Sequence, residues 1–154
     1  ENTLLYVIGA GDAIPLLKQM VIDLKLQEKV IFMSKLPYRD LLNYTACADA
    51  GLTLDKDNNL NYKYSLPNKL FDYFACGTPV IASKLVEIEK IYQQFPFGVL
   101  VPEVTAKSVA AAIQFIDVHG ADYKNWLINI KNASEVLCWE NEEKVILEVY
   151  GDFV

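Results

Sequence analysis

One segment, from Ser65 to Ser83, leaves this chain few ways to fold. Pro67-Asn68 opens a short helix, Gly77 stops it, and an apolar run over residues 79–82 follows as a buried strand. Proline near a helix start and glycine past its end is the punctuation expected of a helix. Leu70, Phe71, Phe74 and Ala75 form one apolar stripe at helical spacing. Lys69 and Asp72, three apart, share another face. A lysine in the first turn opposes the helix dipole. Its placement there suggests that the helix start, from Ser65 through Pro67 and Asn68, holds an anion such as a phosphate on its N–H groups.

The rest of the chain alternates. Residues 4–8 are a short apolar run ended by Gly9-Ala10-Gly11, which reads as a buried strand. Ile14, Leu17, Val21 and Leu24 then mark an amphipathic helix over about 13–26. Strands are expected at 30–33, 48–54 and 98–101, and helices at 38–47, around Val86 to Tyr92, and over 108–115. Tyr123, Trp126, Leu127 and Ile130 mark a further helix, and Val145, Ile146, Val149 and Tyr150 the last. Residues 55–64 are polar and rich in asparagine, a loop long enough to be functional. Strands alternating with helices predict an α/β fold, a doubly wound Rossmann-like parallel sheet with helices on both faces. Ligands of such sheets sit at strand carboxyl ends. The Gly9 turn, the 55–64 loop and residues 83–85 all lie there, and the expectation is that they face one crevice with the helix start at Pro67.

Composition narrows the function. The 154 residues suffice for one domain, and 53% hydrophobic content excludes a disordered chain. A net charge of −6 argues against a nucleic-acid partner and gives no attraction to anionic lipid. No apolar run approaches the roughly 18 residues of a transmembrane segment. Cys47, Cys76 and Cys138 are odd in number and widely spaced, which reads as reduced thiols in a cytoplasmic protein. His119 reads as a surface residue at a helix end.

The candidate ligand groups each have a plainer alternative. Gly9-Ala10-Gly11 reads first as a tight strand-to-helix turn. A GxGxxG would need glycine where Ile14 stands, and the second strand ends without the acidic residue a dinucleotide ribose requires. The alternative is backbone contact from Gly9 and Gly11 to a ligand's phosphates or base. Asp55-Lys56-Asp57 has a metal-holding spacing but no third oxygen cluster, and a solvated loop accounts for it; no metal or other cofactor is expected. Lys69 either binds phosphate or pairs with Asp72 on an exposed face. Tyr62, Tyr64 and Tyr73 either stack on a base or sugar or fill satellite core.

The Pro67 to Ser83 pattern resembles the donor-binding helix of retaining GT-B glycosyltransferases, which reads P-x-K-apolar-apolar-E-(Y/A)-apolar-A-x-G-x-P-V-(I/V)-A. Supportive likenesses extend from Leu4 to Tyr150: Ala48-Asp49 before the third strand, Gly98-Val99-Leu100-Val101-Pro102, and Cys138-Trp139-Glu140 before the final helix. The resemblance implies a nucleotide diphosphate-sugar donor, a metal-independent retaining transfer, Lys69 as the group facing the departing diphosphate, and Asp72, usually Glu, accepting from the ribose hydroxyls. A bacterial surface glycan, and so polysaccharide biosynthesis, is the implied context. Three departures stand out. Tyr64 replaces the first of the family's two glutamates, and Lys84-Leu85-Val86-Glu87 lacks the usual glycine. The family's first strand and helix, which carry a diphosphate-clamping Arg and Lys, have no counterpart, nor does the amino-terminal acceptor domain. The chain therefore reads over 1–154 as a fragment of a larger two-domain enzyme, inactive alone, its sheet split where the central strand is missing, and prone to marginal stability or self-association. Peripheral membrane contact, if any, falls to the missing domain. Two alternatives remain: another GT-B enzyme such as a nucleotide-sugar epimerase, which would want acid/base residues near the sugar, and a non-catalytic nucleotide-binding or interaction domain. A preference for nucleoside diphosphates over NAD separates the transferase from the last.

Overall fold

The computed structural model describes residues 3–118 and 120–151, so His119 lies outside the described residues. The chain divides into two compact units, Glu1–Tyr44 and Thr45–Val154.

The first unit holds β1 (Leu5–Ile8), α1 (Ile14–Asp23), β2 (Val30–Met33) and most of α2 (Tyr38–Ala46). β1 and β2 are parallel, in register from Leu5 opposite Val30 to Ile8 opposite Met33. Parallel neighbours need a crossover, and α1 supplies it. Gly9, at φ 145°, makes the turn out of β1 in a conformation that side chains disfavour. The strand expected to be buried is not: Leu5 is 41% and Tyr6 50% exposed, and no described residue of this unit is fully buried. The apolar pattern marks the face to be covered, but a two-stranded ladder with one crossover helix offers little to cover it.

α1 ends three residues earlier than its apolar spacing suggests. Lys25 takes a left-handed conformation, φ 55°, while its N–H bonds to Ile22 O and that of Leu26 to Val21 O. This is a Schellman stop with lysine at the position glycine usually fills. Lys25→Gly is therefore expected to stabilise the helix end by about 0.5–1 kcal/mol, the relief of left-handed strain less the entropy that glycine adds to the unfolded chain. Slower amide exchange through α1 in the variant checks it.

The second unit runs β3 (Gly51–Thr53), α3 (Leu60–Lys63), α4 (Asn68–Ala75), β4 (Val80–Ser83), α5 (Val86–Gln94), β5 (Gly98–Val101), α6 (Ala106–Val118), α7 (Gly120–Val136) and α8 (Trp139–Tyr150). Its sheet has the order β3-β4-β5, all parallel. β4 is central and buried throughout, which is why its sequence is a continuous apolar run rather than an alternating one. It starts at Val80 rather than Pro79, since proline has no N–H for the ladder. Leu70 and Phe74 of α4 join Phe97, Ile88, Trp126 and Ile130 in the core, with Phe74 and Phe97 rings 5.1 Å apart. Each such side chain contributes roughly 1.5–3 kcal/mol by leaving water. α6 begins two residues before the expected 108 because Thr105 and Ser108 cap each other: each side-chain oxygen accepts the other's backbone N–H at 3.1 Å.

The five expected strands thus all form, in parallel sheets flanked by helices; among the described residues they pair as two ladders, the split expected above. Val145, Ile146, Val149 and Tyr150 of α8 are 44–59% exposed. No described helix is long and apolar enough to cross a membrane.

Candidate functional site

The segment between β3 and β4 carries the candidate groups. The loop after Thr53 is shorter than the ten residues expected, because α3 forms inside it. Asn59 adopts an extended conformation and its side chain accepts the Tyr62 N–H at 2.9 Å, a helix start hidden in what reads as a polar loop. Tyr64 closes α3, and the Ser65 hydroxyl donates to Tyr62 O at 2.9 Å, shaping the approach to α4.

Pro67 stands at the N-cap of α4 with an extended backbone (ψ 134°) and no side-chain hydrogen bond. The first turn, from Asn68, contains no acidic residue and does contain Lys69. This end therefore presents backbone N–H groups and a cation together, with neither capping oxygen nor carboxylate of its own. The Lys69 ammonium lies 3.8 Å from the Asp55 carboxylate in the loop after β3. The carboxylate expected to compete for it was Asp72, and the sequence reading missed Asp55, fourteen positions away. The pair is part-exposed, so its worth is at most about 1 kcal/mol. Asp57 faces Lys63 at 3.9 Å. Both aspartates of the D-x-D thus face lysines, and no cluster of three or more metal-ligating side chains forms among the described residues.

Asp72 is half-buried on α4. After burial, its charge is a cause of the upward shift of the neighbouring Cys76 thiol; for the Tyr73 hydroxyl, burial raises the pKa most, the Leu52 backbone hydrogen bond opposes that, and Asp72 adds a smaller push upward. The tyrosines divide. Tyr73 is a packing residue: its hydroxyl bonds to Leu52 N and Leu52 O, each at 3.2 Å. Tyr62 and Tyr64 are 43% and 54% exposed and fill no core. Behind the site, Thr53 is fully buried and its Oγ1 has no hydrogen-bond partner, although the Ser83 hydroxyl reaches Thr53 O at 3.4 Å. Gly9 and Gly11 belong to the first unit, where they make the turn between β1 and α1; Gly11 O accepts the Ile14 N–H at 3.1 Å. A cavity of about 480 Å³ opens beside β5, lined by Tyr92, Phe115, Trp126 and Asp122, and includes none of the α4 residues.

Parallel sheets flanked by helices in this way match the fold of GT-B glycosyltransferases. Solved structures share it. Sucrose-phosphate synthase from Thermosynechococcus elongatus is 22% identical with a TM-score of 0.78, covering 96% of this chain and 37% of its own. WaaG, a glycosyltransferase involved in lipopolysaccharide biosynthesis, is 17% identical with a TM-score of 0.69, covering 87% and 34%. HepE from Anabaena, in complex with UDP and glucose, is 18% identical with a TM-score of 0.63, covering 86% and 35%. The chain spans about a third of the length of these proteins. A comparison with curated proteins finds no match. The chain belongs to the group 1 glycosyl transferases, whose family model matches residues 1–116.

Proposed function

We propose that this chain, over 1–154, is the donor-binding part of a larger two-domain glycosyltransferase that moves a sugar from a nucleoside diphosphate-sugar to an acceptor. The observation that carries the reading is the start of α4: Lys69 in a first turn with no side-chain cap and no acidic residue. A diphosphate brings the negative charge that the first turn of α4 itself lacks and that the part-exposed Asp55, 3.8 Å from Lys69, offsets only in part. As the sugar bond breaks, charge grows on the departing diphosphate, and the N–H groups after Pro67 and the Lys69 ammonium are already in position to offset it. Ser65, Pro67 and Asn68 shape that end. Asp72 accepts hydrogen bonds from both ribose hydroxyls, since a carboxylate offers two oxygens to two neighbouring donors. Tyr64, exposed beside the helix start, offers a ring to the base or sugar. The transfer is metal-independent and retaining, the enzyme is cytoplasmic, and its product is a bacterial surface glycan. UDP in the HepE complexes and the lipopolysaccharide role of WaaG support the donor class and the context.

Calorimetry with UDP, ADP, GDP and NAD tests the reading. One nucleoside diphosphate is expected to bind in preference to NAD. Asp72→Ala is expected to weaken it by roughly 1.5–3 kcal/mol, the worth of hydrogen bonds to a charged group. Equal affinity of the two proteins removes the ribose role; preference for NAD removes the donor assignment.

A further inference from the structure

We propose that the cavity beside β5 is a second binding site, apart from the start of α4, for a small organic cation: an ammonium group bearing methyl or alkyl substituents. The cavity holds about 480 Å³, within the range of small-molecule sites. Its walls come from α5, β5, α6 and α7, at the opposite end of the β3-β4-β5 ladder from β3. The central strand that has no counterpart in the sequence would stand on the β3 side, so β3 and β4 separate it from these walls. The site therefore stands independently of the donor reading.

The walls bring rings and oxygen acceptors together. Trp126 is buried, and the part-exposed Phe115 ring stands 6.1 Å from it. The Tyr92 ring is held edge-on against Phe97, centroids 5.3 Å apart, and its hydroxyl reaches Gly98 O at 3.4 Å. Phe97 O and Val101 O accept from Val80 N and Lys84 N, so Gly98, between them in the alternation, turns its carbonyl away from β4. Asp122 is exposed in the first turn of α7. Glu87 and Glu89 of α5 pair with Lys90 and Lys84, whereas Asp122 pairs with no cation among the described residues. Its charge is felt at Tyr92: burial raises the hydroxyl's pKa most, and Asp122 raises it further. The α7 dipole accounts for a carboxylate in its first turn, but not for the rings around it. Carboxylate, phenol oxygen and ring faces all favour positive charge. An anion would be repelled, and a neutral apolar molecule would leave the carboxylate unanswered. A bare metal ion would find one carboxylate, since no cluster of three ligating side chains forms among the described residues. A cation with an apolar surface answers both the rings and the charge.

The full chain carrying Trp139→Phe, whose fluorescence then reports Trp126 alone, is titrated at constant ionic strength. Choline is the probe, and the alcohol in which a carbon replaces choline's nitrogen is the uncharged control. Choline is expected to bind about tenfold more tightly than the alcohol, the effect of a cation against aromatic rings. Asp122→Asn is expected to weaken choline about threefold, the effect of losing one exposed charge pair, and to leave the alcohol unchanged. Asp55→Asn is expected to change neither, which keeps the cation away from the start of α4. Equal affinity for choline and the alcohol overturns the proposal, as does the absence of a saturable change with choline. A loss in Asp55→Asn but not in Asp122→Asn overturns it too. Should Trp139→Phe fail to fold, the shift of the Trp126 indole N–H resonance in the unaltered chain reads the same titrations, with the same outcomes deciding.

Discussion

Lys69→Ala is expected to lower turnover by about a hundredfold at saturating donor, the usual loss when one preorganised group facing a developing negative charge is removed. The same change is expected to leave the fold almost untouched. Its ion pair with Asp55 is part-exposed at 3.8 Å and contributes at most about 1 kcal/mol. Against that, removing a cation from the first turn of α4 relieves a dipole clash of about 0.3–1 kcal/mol. The two effects nearly cancel, so activity and stability separate cleanly. Steady-state kinetics of the enzyme that carries this chain, with a thermal melt of the same sample, measures both. Lys69→Arg serves as control: it keeps the charge and is expected to recover part of the rate. Unchanged turnover in Lys69→Ala would show that the lysine is a surface residue only.

Why Lys69 was legible and its surroundings were not follows from where each signal resides. The helix start is local: Pro67, Asn68 and the Gly77 stop lie within eleven positions, and the cation's misfit with the dipole needs no tertiary knowledge. β4 was equally plain, because a central parallel strand must be apolar on both faces. Asp55 and Tyr73 act through partners fourteen and twenty-one positions away, and no spacing rule reaches that far. Asn59 was a local signal, but four neighbouring polar residues masked its role as a cap. Burial failed differently. Leu5 and Tyr6 carry a correct strand pattern, yet pattern names only the face that would be buried. Whether it is buried depends on what lies beside it, and among the described residues β1 and β2 have only each other as paired strands.

Gly98→Ala is expected to cost about 4 kcal/mol, the largest effect of any single methyl in the second unit. Gly98 stands opposite Val80 in the β4–β5 ladder, at φ 150°. A Cβ there would lie 2.2 Å from Val80 O and 2.8 Å from Val80 N. Both are backbone atoms of the central, fully buried strand, so no rotamer change can relieve the overlap. Overpacking of this kind costs about 1–3 kcal/mol, and a side chain at that φ adds roughly 1–3 kcal/mol more. Against a total stability of about 5–15 kcal/mol for an ordinary domain, the loss leaves the β3-β4-β5 sheet marginal or unfolded. Urea denaturation followed by tryptophan fluorescence measures it, since Trp126 packs in the same core. Gly120→Ala is the control: nothing lies within 4 Å of its added Cβ, and alanine suits the start of α7 better than glycine. A midpoint shift in Gly98→Ala no larger than in Gly120→Ala would mean that β5 can move away from β4. The glycine that opens the Gly98-Val99-Leu100-Val101-Pro102 pattern would then owe its place to something other than this close approach. With the expected loss, that glycine has a physical reason: β5 can pair with β4 at this register only where a backbone without a side chain passes Val80.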